Sequence, residues 1–420
     1  MSGLTPPPLK NDCFALPPGV DWTPVDDALD RLRASLDCRV ASNVRPLAGA
    51  EGFILAEDAI ARRSNPPAAN SAVDGYGFAA LSTGDGPQTL PLAEGRAAAG
   101  AAFPGTVPEG HALRILTGAI LPQGVDTVVL EEDVTTDGKD IAFQGPIKAG
   151  ANTRKAGEDV AAGDVALAAG KRLGPAELAL LSAVGASEVT VFDRLRVGVL
   201  STGDEIVESG ASTDPGRTYD ANRPMLLSLL RDWRFEAVDL RHVRDDRAAL
   251  ATRLDEAATR ADVILTSGGA SAGDEDHVSA LLGETGSRAD WRIALKPGRP
   301  LALGVWQGRP VFALPGNPVA SLVCTMIFAR PALGLMAGEG WKRPQGFIVP
   351  AAFEKRKKPG RREYLRARID ADGHAEVFRS EGSGRISGLA WADGLVEIGD
   401  GPTHIRPGDP VRYIPYASFR

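Results

Sequence analysis

Cysteine is scarce in this 420-residue sequence, which holds only Cys13, Cys38 and Cys324. Odd in number and far apart, they suggest neither a disulfide framework nor a zinc site, and they point to a reducing compartment. The five histidines (His111, His242, His277, His374 and His404) are equally dispersed. Positive charge is not in excess either. Lysine and arginine number 47 against 54 acids, a formal charge of −7, which argues against a protein that coats nucleic acid. An anionic ligand must then be met by local basic residues, helix N-termini or a metal. No apolar run approaches the length of a membrane span. The first twenty residues are proline-rich and lack both a basic n-region and an apolar h-region, so no signal peptide is expected. These absences describe a cytoplasmic protein with a loose leading tail and no membrane or nucleic-acid partner.

What is present is an ordinary globular composition, 43% hydrophobic and 24% charged, over a length that suits roughly three domains. Residues 1–20 form the tail. Val25, Ala28, Leu29, Leu32 and Leu36 then recur at helical spacing, with acids early and Arg31 and Arg33 later, as a helix dipole favours. Between residues 64 and 157 proline, glycine and alanine are frequent. Short runs such as Leu113–Leu116 and Thr127–Leu130 read there as strands, which predicts a β-rich inserted domain. Gly174-Pro175-Ala176-Glu177 opens a helix with proline at its first position and Gly185 as its stop. Segments 21–63 and 158–193 are expected to pair as a small discontinuous helical domain around the insertion.

Residues 194–340 alternate strand and helix. The strands are read at Leu195–Leu200, Phe235–Leu240, Asp262–Thr266, Ile293–Lys296 with Leu301–Val305, and Pro310–Leu314. This pattern predicts a doubly wound, mostly parallel α/β domain. From residue 341 to 420, short strands, a basic stretch at Lys355–Arg368 and several turns predict a C-terminal β-barrel. The fold class is therefore multidomain, α/β plus β.

The centre of this organisation is 262–277. A short β-branched run gives way to Ser267, Gly268, Gly269 and Gly273, then to Asp274, Glu275 and Asp276 before a helix. A strand feeding a glycine turn and a helix brings backbone N–H groups up to a phosphate or other oxyanion. Carboxylates at the same turn repel a bare phosphate, so they imply a divalent cation, Mg²⁺, between the two. Asp204 and Glu205 follow another strand of the same sheet. The competing reading is that these acids cap the helices they precede. Lys296-Pro297-Gly298-Arg299-Pro300 sets a point charge and a planar fork beside one turn. Pro315-Gly316-Asn317-Pro318 closes a strand and starts a helix at Pro318. Ligands of such sheets bind beyond the carboxyl ends of the strands, where these turns would meet.

Taken with Ser71–Tyr76, Arg114–Pro122 with Asp126, Gly157-Glu158-Asp159 and Arg244-Asp245-Asp246, this ordered set of motifs resembles the molybdopterin molybdenumtransferase family, to which the C-terminal domain of gephyrin is related. The resemblance spans nearly everything after Val20. It implies a homodimer of four-subdomain subunits that binds adenylylated molybdopterin, inserts molybdate and releases AMP with Mg²⁺. Carried over by motif, Asp276, Glu205, Lys296, Asp159 and Thr117 would be catalytic. Asp74, Ser267, Gly268, Gly269, Asp245, Asp246, Arg299, Pro315, Pro318, Arg361 and Ser383 would bind substrate, and Asp276, Glu205 and Asp274 the metal. In such a dimer one subunit's β-rich arm would lie near the other's α/β domain.

Two departures stand out. Arg299 occupies a position where many relatives carry lysine, and the stretch Gly382–Gly388 differs around Ser383. The resemblance also implies transient contact with a molybdopterin adenylyltransferase and with apo-molybdoenzymes. That adenylyltransferase activity is itself the nearest rival function, and a non-catalytic gephyrin-like scaffold is the other.

Overall fold

The structure, a computed structural model, describes residues 22–211, 213–269, 277–284, 289–298 and 300–420. The chain divides into two compact units, Ser42–Val191 and the combination of Met1–Ala41 with Phe192–Arg420.

In the smaller unit, a six-stranded sheet runs in the order Thr127–Leu130, Gly75–Phe78, Ala112–Ile115, Gly86–Ala97, Asp140–Gly145, Thr135–Thr136. Alternate residues of a strand face opposite sides of a sheet, and both sides are covered here. Ala112 and Val129 pack with Phe78 and Phe143, while their neighbours Leu113 and Val128 pack with Ile115 and Val125. The flanking segments form a second layer of the same unit. Ser42–Pro46, Glu188–Phe192 and Ile54–Leu55 make a three-stranded sheet, and Val165–Leu167 pairs with Ala59–Ile60. Their core includes Leu181 from the Pro175–Ala183 helix. At the start of that helix the Glu177 carboxylate accepts the Gly174 N–H at 3.0 Å.

The larger unit is built on a sheet in the order Glu236–Val243, Arg196–Thr202, Val263–Ser267, Arg309–Leu314, Pro300–Trp306, Ala289–Arg292. The first four strands are mutually parallel, and each of the last two is antiparallel to its inner neighbour. The strand at Ala289–Arg292 was not expected from the sequence. Ile293–Lys296 was expected in this sheet, but only Leu295–Lys296 is strand, and it pairs with Arg362–Ile369 of the C-terminal layer instead. A short apolar run specifies burial without specifying which sheet provides it.

Helices Asn222–Asp232, Arg247–Arg260 and His277–Glu284 cover the sheet. The Arg247–Arg260 helix is capped by Asp246, whose Oδ1 accepts the Ala249 N–H at 2.7 Å. Asp246→Ala should therefore destabilise the protein by about 1 kcal/mol. Urea denaturation that finds no loss of stability would show that this cap contributes nothing.

A long apolar helix runs from Pro318 to Met336, with a five-residue π segment at Thr325–Ala329. It corrects the expectation from sequence, because by length and composition it could cross a membrane. Here 94% of it is buried within the protein. Its cation Arg330 is buried too, paired with Glu339 at 3.0 Å and donating to the Phe419 carbonyl at 2.6 Å.

In the C-terminal layer, Leu295–Lys296 joins Arg362–Ile369, Gly394–Ile398, Pro410–Pro415 and Phe347–Pro350 in one path, with Ala375–Val377 added to Arg362–Ile369. The path closes through a bridge between Ala351 and Ala375, where the Ala352 N–H donates to the Ala375 carbonyl at 2.8 Å. The closed path surrounds Leu365, Ala367, Val396, Val411 and Tyr413. The Val25–Ala34 helix falls with the larger unit, whereas the sequence reading grouped it with the 42–63 segment. Its buried face (Val25, Ala28, Leu29, Leu32) is engaged in this unit, and Asp26 pairs with Arg362 at 2.7 Å and Arg343 at 2.8 Å.

Candidate functional site

Three parallel strands of the larger unit end side by side. Ser201 is in register with Ser267, and Ser267 with Leu314. The crossover from Arg196–Thr202 goes outward to Glu236–Val243, and the next returns past it to Val263–Ser267. Such a reversal of strand order opens a crevice at the carboxyl ends. The turns that leave these ends are laced together. Asn222, at the start of its helix, donates through Nδ2 to Ser267 Oγ and to the Gly316 carbonyl, both at 2.7 Å. Gly268 has a φ of +99°, and a Cβ there would lie 2.8 Å from Thr202 Oγ1, so only glycine lets the first two turns approach this closely.

The side chains at this edge are polar and buried. Among the described residues, Ser201 Oγ and Asn222 Oδ1 have no hydrogen-bond partner, an arrangement that suits a polar ligand at this edge. The Gly268 N–H is engaged by the Leu314 carbonyl at 3.1 Å and so is not offered to a ligand. Ser279 Oγ holds the Gly269 carbonyl at 2.8 Å.

Acids stand beside the first turn. Asp204 and Asp245 each accept the other's backbone N–H, at 3.2 and 3.3 Å. Glu205 is exposed on the same turn. Asp246 points into its own helix as the cap, so of the two neighbouring aspartates Asp245 is the one that meets the turn. Asp274, Glu275, Asp276 and Arg299 lie outside the described residues. Among the described residues, Asp370, Asp372 and His374 bring three possible metal ligands within 4.8 Å. Asp370 already caps that turn, accepting the Asp372 and His374 N–H groups at 3.0 and 2.8 Å.

Lys296 sits at the start of a turn that backs onto the third strand's helix, with Gly298 against Cys324 and Ala320. Burial pushes the Cys324 thiol up to about 12, so it is inert. The Lys296 ammonium is shared between Glu363 at 3.4 Å and Glu381 at 2.8 Å. Lys355 completes a quartet, pairing with Glu363 at 3.0 Å and with Glu381. Burial alone would lower the Lys355 pKa, but its hydrogen bonds to Glu381 and Glu363 raise it overall. Lys357, next along, donates to the carbonyls of Lys358, Asp400 and Gly401 at 3.0–3.1 Å. Its pKa is lowered, chiefly by burial, with Arg361 and Lys296 adding repulsion. Arg361 thus shares the local field of Lys296. Ser383 is half-buried on the loop that carries Glu381.

In the smaller unit, Asp74 and Thr117 form a pair. Asp74 Oδ1 accepts from both the Thr117 N–H and its hydroxyl, at 2.6 Å each. Those bonds, the hydroxyl's first, hold the Asp74 carboxyl below the usual carboxylate range. Asp159 accepts from Asn65 Nδ2 at 2.9 Å. Arg114 stacks over Tyr76 and pairs with Glu131.

Sequence reading missed Asn222, Glu363, Lys355 and Glu381. Asn222 carried a usable signal, a short polar residue two positions before a proline at a helix start. Lys355 stands out only as the start of the basic stretch, and Glu363 and Glu381 have no signal of their own, because their partners are distant along the chain.

Three family models cover most of the chain. The MoeA N-terminal region (domain I and II) matches residues 23–185, a probable molybdopterin binding domain matches 198–334, and the MoeA C-terminal region (domain IV) matches 349–416. The chain is 35% identical over 400 residues to the molybdopterin molybdenumtransferase of Haemophilus influenzae, covering 93% of this chain and 98% of that protein. It is 34% identical over 381 residues to molybdopterin molybdenumtransferase 2 of Mycobacterium tuberculosis, covering 87% and 93%. Among solved structures, the MoeA molybdopterin biosynthesis protein of Pyrococcus horikoshii OT3 is similar with a TM-score of 0.81 at 27% identity, covering 94% of this chain and 100% of that one. The chain belongs to the molybdopterin molybdenumtransferase family, enzymes of molybdenum cofactor biosynthesis.

Proposed function

We propose that this protein inserts molybdate into adenylylated molybdopterin in an Mg²⁺-dependent step that releases AMP and yields the molybdenum cofactor. The observation that carries the reading is the convergence of three carboxyl-end turns, tied by Asn222, with Asp204 and Asp245 on the first turn and Lys296 in a pocket that includes Val319 just after the third.

The donor set fits Mg²⁺, a hard cation held by one or two carboxylates together with substrate phosphates and water. Glu205, exposed on the first turn, would hold it together with Asp274 and Asp276. When bound, the ion neutralises charge on the phosphoanhydride as that bond breaks. The chain's own groups do the rest. The Gly268-Gly269 turn would lie against the phosphate, and Lys296 would offer an ammonium to an oxyanion. No side chain need act as a covalent nucleophile.

Asp74, Thr117 and Asp159 are further substrate-site residues in this reading. The enzyme works as a cytoplasmic homodimer of four-subdomain subunits and meets the molybdopterin adenylyltransferase and apo-molybdoenzymes transiently.

Purified protein given adenylylated molybdopterin, MgCl₂ and molybdate should release AMP, and the product should activate an apo-molybdoenzyme. Omitting molybdate should stop AMP release. Synthesis of the adenylate from molybdopterin and Mg-ATP, with no molybdate-dependent AMP release, would overturn the proposal.

A further inference from the structure

We propose that Glu381 is an internal counter-ion that occupies the anion position between Lys296 and Lys355 and sets which anions can enter it. The inference rests on the reading of Lys296 as an oxyanion ligand. It adds a residue that works against the anion rather than for it.

The quartet Lys296, Lys355, Glu363 and Glu381 is neutral as it stands, and its two acids are not equivalent. The Glu363 side chain is 9% exposed and lies on the Arg362–Ile369 strand, so it is a fixed partner of both lysines. The Glu381 side chain is 45% exposed and bridges the same two ammonium groups from the open side. Removing Glu363 would strand buried charge, whereas Glu381 can turn out into water. The quartet then carries one net positive charge, with Lys357 and Arg361 contributing to the field behind it.

The loop under Glu381 is held while its side chain is free to turn. Arg366 donates to the carbonyls of Ser380, Gly382 and Arg385, at 2.6 Å for Ser380 and 3.2 Å for Gly382. It also stacks over Phe378 at 5.1 Å. Lys296, Lys355, Arg366, Phe378 and Glu381 line one pocket. Opening the anion position therefore takes a side-chain rotation and no movement of the backbone.

This arrangement discriminates by charge. A monoanion that displaces Glu381 exchanges one negative charge for another and gains nothing between the two ammonium groups. A tetrahedral dianion, such as molybdate or sulfate, brings a second charge between the two ammonium groups, where its attraction to both lysines exceeds that of Glu381. Glu381 thus sets a threshold that doubly charged oxyanions pass and nitrate or chloride do not.

The test is calorimetric titration of the full-length protein with molybdate, sulfate and nitrate, each alone, compared with Glu381→Gln. Glutamine keeps the shape and can still accept a hydrogen bond, and circular dichroism checks the fold. The variant should bind molybdate and sulfate about three- to tenfold more tightly, acquire measurable nitrate binding, and show a lower KM for molybdate in AMP release. Lys296→Met should lose molybdate binding in both backgrounds. Unchanged or weaker anion binding by a folded Glu381→Gln protein, with the Lys296→Met loss intact, would overturn the counter-ion role alone. Normal molybdate binding and turnover by Lys296→Met would overturn the assignment of Lys296 and this inference with it.

Discussion

An Asn222→Leu variant should remain folded and lose about 10²-fold in kcat/KM for molybdate-dependent AMP release. Asn222 donates one hydrogen bond to Ser267 and another to the Gly316 carbonyl. Leucine has the same branched shape with bulkier ends and makes neither bond. The buried Ser267 hydroxyl would lose that donor, at about 1–3 kcal/mol, and the exposed Gly316 turn would lose its tie to it, so the two turns would separate. A displacement of about 1 Å is enough to cost two orders of magnitude when catalysis depends on positioned phosphate contacts. Steady-state kinetics and a denaturation curve on the same preparation decide it. A folded variant with wild-type kcat/KM would show that the spacing of the turns is set elsewhere.

Arg330→Met should remove about 3–5 kcal/mol of stability, read as a lower midpoint in guanidinium denaturation. The Arg330 and Glu339 side chains are 6% and 3% exposed, so methionine would leave the buried carboxylate without this cation, Lys342 remaining at 3.3 Å. The same change removes the donor to the Phe419 carbonyl and the guanidinium that lies 5.7 Å from the rings of Trp233 and Phe235. Replacing both members together, Arg330→Met with Glu339→Leu, should recover much of the loss, because the penalty lies in stranding one charge rather than in losing the pair. If the single variant matched the wild type, the pair would be irrelevant to stability.

How much of this was legible beforehand follows from the range of each interaction. The strand–turn–helix units at Ser201–Glu205, Ser267–Gly269 and Pro315–Pro318 were readable because their signals are local: a β-branched run, a breaker, then helical periodicity. Their convergence also followed, since strand order in an α/β sheet is tightly constrained. The quartet around Lys296 was not readable. Its partners lie 67 and 85 residues away, and nothing near Glu363 or Glu381 distinguishes them from surface acids. Leu295–Lys296 was assigned to the wrong sheet for a related reason, because two apolar strands compete for it and local pattern does not rank them. Asp245 and Asp246 were indistinguishable in sequence. The geometry separates them, since one caps its own helix and the other turns towards Asp204.

The long helix from Pro318 to Met336 has a consequence during synthesis. Until it packs against the sheet, this stretch is an apolar segment of spanning length, and targeting machinery reads such segments by hydropathy. Arg330 stands well inside it. A charge at that depth disfavours lateral release into a bilayer by about 2.5–3.5 kcal/mol. The cation that anchors the finished core therefore also biases the nascent chain against misinsertion, and a hydrophobic replacement would expose the chain to both faults at once.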